Sequence, residues 1–407
     1  MTKVRNQKNQ RREAPGTGLS AILRPPSSEP PPLALYVHFP WCVRKCPYCD
    51  FNSHAASGIP DGIPFAPWVD AVIADLDAAL PQIQGRHIPS LFIGGGTPSL
   101  LPAAALDRLL DALRTRLTLT PDFEITLEAN PGTVEAARLR AYRAAGITRL
   151  SLGIQSFASP LLARIGRIHD GNEARRAVEL ALAHFACVNL DLMYALPGQN
   201  LDEALADVDM AIDFGVTHLS CYQLTLEPNT PFAHNPPPLP GDDLAADMQD
   251  AIEARLAAAD FIHYETSAFS HAGQECRHNL NYWTFGDYLG LGPGAHGKLS
   301  LPTGIVREMR HKHPTRYLDG VARGDFIHTR HIVSAADLPF EFMMNALRLI
   351  HGVPVELFGE RTGLGLSVIT PALTAARRRG LLHPTRLQAS ALGQRFLNDL
   401  LQIFLPD

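Results

Sequence analysis

The chain has 407 residues, enough for two or three domains, and an apolar content of 46% that supplies a buried core. It contains no run of about 18 apolar residues, which excludes a hydrophobic membrane-spanning helix. A net charge of −5 excludes a surface devoted to nucleic acid. Residues 1–31 open with MTKVRNQKNQRREAPG and end in RPPSSEPPP, and read as a solvated basic and proline-rich tail. They carry no apolar segment of the kind a secretory signal needs, so the expected location is the cytoplasm. Six cysteines, three of them clustered, suit metal or redox chemistry in a reducing compartment better than a disulfide framework. Cys187 and Cys221 sit in apolar runs and read as small core residues.

From residue 33 short apolar runs alternate with helical patterns. The run LALYVHF (33–39) precedes the helical PWVDAVIADLDAAL (67–80), and SLFIGG (90–95) precedes AALDRLLDALRTRL (104–117). FEITLEAN (123–130) and RLSLGIQ (149–155) follow, then the helical EARRAVELALAHF (173–185). VNLDLMYAL (188–196), the helical LDEALADVDMAIDF (201–214) and THLSCYQL (217–224) complete the series. Six strands each followed by a helix predict an α/β fold with a parallel sheet, its strands apolar on both faces. The unusual residues fall at strand carboxyl ends: GGGTP (94–98), Glu128 and Gln155. Such a rim favours a partial six-stranded (β/α) barrel over an open sheet with a single switch point.

Beyond residue 224 comes EPNTPFAHNPPPLPG (227–241), long enough for a lid or linker, then a helix over 242–259. IHYETSAFS (262–270) and ECRHNLNYWTFGDYLGLGPGAHG (275–297) follow, closing a barrel unit expected over 32–300. Residues 301–330 read as a linker, and 331–407 as a helical, winged-helix-like domain in which VITPALTAARRRGLL gives way to a hairpin and a further helix.

The stretch WCVRKCPYCDF places Cys42, Cys46 and Cys49 in a C-x3-C-x2-C pattern just after the first strand. Spacing alone leaves open an iron–sulfur site, a zinc site completed by His38 or His54, or free thiols. Three thiolates on a four-iron cluster leave one iron open to a reactant. The glycines of GGGTP suit a nest of backbone N–H groups around an anionic or amino-acid ligand. Glu128, Gln155, Arg167 and Asp191 are polar residues near strand ends, where capping or ion pairing is the ordinary role for any one of them.

The cysteine pattern, with Tyr48 before its last member, resembles that of the radical S-adenosylmethionine superfamily. YVHFPWC, CPYCDFNSH, FIGGGTPSLL, LEANPG, RLSLGIQSF, IGRIHD and DLMYALPGQ are similar to the group holding oxygen-independent coproporphyrinogen oxidases and the HemW-type heme chaperones. The resemblance implies a [4Fe–4S] cluster on Cys42, Cys46 and Cys49. It implies S-adenosylmethionine held by Tyr36, Gly95, Gly96, Thr97, Glu128, Gln155, Arg167 and Asp191, with Tyr48 alongside. The oxidase pattern has a further cysteine where this chain has Phe51, whereas HNLNYW (278–283) matches the chaperone signature. That signature implies heme at His278, Asn279, Tyr282 and Trp283, with His296 a rival ligand. The expected function is therefore heme binding and transfer to an acceptor protein, a respiratory one among the candidates, with at most transient membrane contact and a homodimer among the expected states. Radical decarboxylation of coproporphyrinogen III is the alternative.

Overall fold

The computed structural model describes residues 29–406, so all but the end of the expected tail lies outside the described residues. Six strands, β1 (Leu33–Phe39), β2 (His87–Gly95), β3 (Thr118–Ala129), β4 (Arg149–Gln155), β5 (Cys187–Tyr194) and β6 (His218–Gln223), stand side by side in chain order. Each pairs in parallel with the next. The crossovers carry α1 (Phe65–Ile83), α2 (Ala103–Arg116), α3 (Ala136–Ala145), α4 (Gly171–Leu182) and α5 (Leu201–Asp213). Local chemistry starts the last two: Asp170 with Glu173, and Asn200 with Glu203, form reciprocal capping boxes.

The strands are not apolar on both faces. Leu33, Leu35, Val37 and Phe39 of β1, with Leu150, Leu152 and Ile154 of β4, are fully buried under the helices. The alternate residues, such as Tyr36 and His38, Ser151 and Gln155, or Asn189 and Asp191, point to the concave side, where polar groups bond one another. A concave face built this way is a barrel interior and leaves room for a site.

The sheet is larger than six strands and does not close. After α6 (Asp242–Ala258), β7 (Ile262–Glu265) and β8 (Ala268–Ser270) form a hairpin whose β8 adds antiparallel to β6. Beyond α7 (Arg277–Trp283), β9 (Asp287–Leu291) pairs in parallel with the other side of β1. Antiparallel β10 (His296–Leu301) and β11 (Gly304–Arg310) continue outward; α8 (Pro314–Arg323) then precedes the edge strand β12 (Ile327–Ile332). The order across the twelve strands is β12-β11-β10-β9-β1-β2-β3-β4-β5-β6-β8-β7, with free edges at β12 and β7. Residues 301–330 are thus part of the sheet rather than a linker. Ile305, Val306 and Tyr317 are buried there, and Arg310 makes a buried ion pair with Asp75 of α1 at 2.8 Å.

The chain ends in α9 (Leu338–Ala346), α10 (Glu356–Thr362), α11 (Thr370–Arg378), an antiparallel turn bridged between Leu382 and Ala389, α12 (Ala391–Arg395) and α13 (Leu397–Gln402). The expected helix–hairpin–helix is present, around a second apolar core of Phe342, Phe358, Leu373 and Leu400. Among the described residues no helix is long and apolar enough to cross a membrane.

Candidate functional site

Parallel strands in chain order bring their carboxyl ends to one rim, so loops far apart in sequence meet there. The loop after β1 is closed at its base by a two-residue parallel ladder between Trp41–Cys42 and His54–Ala55. Behind it runs a relay from the sheet. Tyr36 Oη donates to His38 Nδ1 at 2.9 Å, and His38 Nε2 donates to the carbonyl of Asn52 at 2.8 Å. Burial holds His38 neutral by pushing its pKa down to about 4, as a ring with one accepting nitrogen requires. Both nitrogens are engaged, so His38 is not a free fourth ligand beside the cysteines. Asn52 Nδ2 in turn donates to the carbonyls of Pro293 and Lys312, at 3.0 and 2.9 Å, tying the loop to the far side of the sheet.

Cys42, Cys46 and Cys49 line one cavity of about 730 Å³ together with Gly95, Gly96, Thr97, Glu128, Gln155, Arg167 and Asp191. Burial raises the Cys42 and Cys49 thiols above their ordinary pKa, so both stay protonated unless a cation draws off the proton. Among the described residues no three His, Cys, Asp or Glu side chains gather tightly enough for a single metal ion. Three soft thiols on one loop, facing one roomy cavity, fit a multi-iron cluster as their donor set.

The GGGTP turn works differently from a nest of free amides. Gly95 N donates to Glu128 Oε2 at 3.1 Å, Gly96 N to the Phe39 carbonyl at 2.7 Å, and Thr97 N to the Trp41 carbonyl at 2.8 Å. The glycines are needed for close approach: a Cβ on Gly95 would stand 2.6 Å from the His38 ring and one on Gly96 2.5 Å from the Trp41 carbonyl. With three consecutive amides engaged, what this turn has to offer a ligand is carbonyl oxygen.

Two acids share the rim. Glu128 is pushed up to about 8, first by burial and then by the charge of Asp191, against the Gly95 amide that favours its anion. Burial also raises Asp191, which accepts from Asn189 Nδ2 at 2.8 Å and Ser151 Oγ at 3.3 Å. Gln155, in the left-handed region at φ 69°, accepts from Tyr222 Oη at 2.8 Å. Arg167 spans the rim: it donates to the Gly153 carbonyl at 2.6 Å, to Asn130 Oδ1, to Tyr48 Oη at 3.5 Å and to Cys46 Sγ at 3.7 Å. Its Nε is buried without a partner. Asn130, Tyr222 and Ser151 escaped the sequence reading. Asn130 lies inside the LEANPG motif, and Tyr222 shares strand parity with the concave-facing Ser220.

Residues 36–211 match the model of the radical SAM superfamily, and 333–396 that of the HemN C-terminal domain. The heme chaperone HemW of Escherichia coli is 48% identical over 93% of this chain and 99% of its own length; that of Haemophilus influenzae is 47% identical with the same coverage. The chain belongs to the HemW family. HemW of Bacillus subtilis, at 32% identity, covers 86% of this chain and 92% of its own. Among solved structures, coproporphyrinogen III oxidase (HemN) of Escherichia coli, a radical SAM enzyme, superposes with a TM-score of 0.77 over 92% of this chain and 90% of its own, at 21% identity, and shares the fold.

The HemW-type motif HNLNYW occupies α7 and presents two faces. Asn279 and Trp283, four residues apart, line the cavity. His278 and Tyr282, the other such pair, turn toward the sheet. His278 is 2% exposed, stacks on Phe92 at 5.1 Å and meets Tyr282 edge-on at 4.9 Å. Burial drives it down to about 3, and its Nδ1 is 3.4 Å from Ser90 Oγ. The structure therefore places His278 and Tyr282 outside the cavity lining, with His278 Nε2 buried and without a hydrogen-bond partner. Tyr36 also lies off the cavity wall, bracing the cysteine loop from behind through His38. His296, the rival ligand, is exposed and outside the cavity lining.

Proposed function

We propose that this protein binds heme and passes it to an acceptor protein, carrying a [4Fe–4S] cluster on Cys42, Cys46 and Cys49. S-adenosylmethionine is held on the same rim by Gly95, Gly96, Thr97, Glu128, Gln155, Arg167 and Asp191, with Tyr48 beside the cluster loop. One observation supports the reading most: the three thiols, the strand-end acids and the cavity-facing half of the HNLNYW helix line a single cavity. The superfamily match and the names of the HemW relatives point the same way.

Cys42, Cys46 and Cys49 would hold such a cluster, which would supply an iron free to bind S-adenosylmethionine. The residues here do the rest. The glycine turn presents carbonyl oxygens toward an amino group, and Glu128, protonated at neutral pH, can either donate a hydrogen bond or ionise beside a cation. Arg167 holds the cysteine loop against the end of β4 and offers its free Nε–H to an anion. Phe51, 58% exposed at the cavity mouth, stands where the oxidases carry a further cysteine and contributes no thiolate. The division of labour is a barrel unit for the cofactors and a C-terminal helical unit that closes one side of the cavity.

The test is anaerobic. The protein with its cluster reconstituted is titrated with heme and, separately, incubated with coproporphyrinogen III and S-adenosylmethionine. Stoichiometric heme uptake without decarboxylation is the expected result, and turnover of the porphyrinogen would overturn the reading. Replacing Cys42, Cys46 and Cys49 by alanine should abolish the iron–sulfur absorbance. Replacing His278 by alanine should lower the melting temperature but leave heme stoichiometry unchanged.

A further inference from the structure

The cavity that begins at the cysteine loop continues to a group of residues outside the strand-end set: Asn279 and Trp283 of α7, Glu265 and Ser267 of the β7–β8 hairpin, and Arg348 just beyond α9. Arg348 lies over the indole of Trp283, its Cζ 4.4 Å from the ring centroid. Its backbone carbonyl accepts from Thr266 N at 3.0 Å, which pins the C-terminal unit to the hairpin. Nη2 of the guanidinium is 3.4 Å from Glu265 Oε2, and Glu265 is itself fixed by Ser267 Oγ at 3.2 Å.

Arg348 Nε is buried with no acceptor, and so is Nε1 of Trp283. Buried donors are nearly always paired, because desolvation of an unpaired N–H goes uncompensated. Two such donors, on stacked side chains of residues that line one cavity, call for an acceptor that the protein itself does not supply. A carboxylate has the two oxygens to take both N–H groups, and a guanidinium edge favours an anion over a neutral carbonyl. The indole adds a flat apolar wall beside the polar contact.

We infer that Arg348 and Trp283 form a carboxylate-recognition pair that anchors a planar, carboxylate-bearing ligand in this cavity. This rests on the heme reading above, in which the carboxylate is a propionate of the macrocycle. Recognition then lies with the C-terminal unit and the cavity face of α7, not with the buried His278. The ion pair with Glu265 fixes the position of Arg348 before a ligand arrives.

Absorbance titrations with hemin and with hemin dimethyl ester, whose propionates are blocked, test the assignment on the full chain. The wild-type protein should bind hemin at least about tenfold more tightly than the ester, the range expected for loss of a charged hydrogen bond. Arg348→Gln should lose that preference. Trp283→Phe, which keeps a smaller aromatic ring and removes the N–H, should reduce it severalfold, and Arg348→Lys should restore only part of it. Ester affinity should be the same in wild type and Trp283→Phe, which reports an intact pocket. Equal affinity for hemin and ester, or a preference unmoved by Arg348→Gln and Trp283→Phe, overturns the pair and leaves heme binding standing. Failure of the wild type to bind either compound overturns both readings.

Discussion

Glu128 and Asp191 show how far the concave face alters a side chain's chemistry. Glu128, raised to about 8 by burial and by Asp191, keeps its proton in the folded protein at neutral pH, whereas the unfolded chain releases it near 4.5. The folded pKa lies above the unfolded one, so the stabilisation from proton binding is fully present below about pH 4.5 and is lost as pH rises toward about 8. Glu128→Gln can still accept from the Gly95 amide but cannot ionise. Melting curves should therefore coincide for the two proteins near pH 5, with the variant melting higher near pH 9. An unchanged difference across that range would mean that Glu128 is ionised throughout. Cys42 and Cys49 are set by the same burial, which raises their thiols and keeps them neutral until a metal takes the proton's place.

At the scale of elements, the rim is held by groups remote from it. Asp75 in α1 is fully buried and accepts from Nε and Nη2 of Arg310 in β11 and from Tyr317 Oη of α8 at 2.9 Å. Glu308 adds a second carboxylate to Arg310 at 2.7 Å. This knot fastens the antiparallel extension to the barrel, and through Lys312 and Pro293 it backs the cysteine loop. Replacing one partner leaves a buried charge short of its counterion, so Asp75→Asn should cost about 3 kcal/mol in denaturant unfolding. A loss under about 1 kcal/mol would show that Glu308 alone suffices. The proline-rich strap over 227–241, read from sequence as a lid or linker, also braces the rim. Phe232 N donates to the Pro47 carbonyl at 3.1 Å and its ring meets Tyr48, inside the cysteine motif.

The described residues form two principal cores, one between sheet and helices and one centred on the C-terminal unit. The two units are tied by the bridge from Glu265 to Leu349, the Arg348 contacts, and the ion pairs of Arg307 with Glu341 and Arg395 with Asp250; Phe285 packs edge-on against Phe342 within the second core. Phe358 is fully buried in the second core and packs edge-on against Phe342. Phe358→Ala should destabilise that unit by about 3–5 kcal/mol. Hydrogen exchange should then accelerate over 338–405 and leave β2 to β5 protected. Uniform acceleration would instead mean that the two cores unfold as one. If the carboxylate pair is assigned correctly, loosening this unit also weakens hemin binding, because Arg348 belongs to it.

Much of the architecture is written locally. The β–α alternation and the approximate position of every strand from β1 to β6 follow from periodicity over windows of about ten residues. So do the cysteine spacing and the placement of Glu128, Gln155 and Asp191 near strand ends, since parallel strands in chain order deliver those ends to one rim. Other features needed the folded chain. The strand Asp287–Leu291 looks like any short apolar run, and only its pairing with β1 makes it a seventh parallel strand. The polar concave face passed for apolar because its residues are satisfied across neighbouring strands, as in Asn189 with His218, rather than by anything near in sequence. HNLNYW names a helix but not its orientation; packing against Phe92 turns His278 inward and leaves Asn279 and Trp283 on the cavity. Arg348 carries no motif, and it reaches Trp283 only because the C-terminal unit folds back onto the β7–β8 hairpin. What depends on chain-local periodicity is therefore legible in sequence, and what depends on contacts between distant segments is decided by the tertiary structure alone.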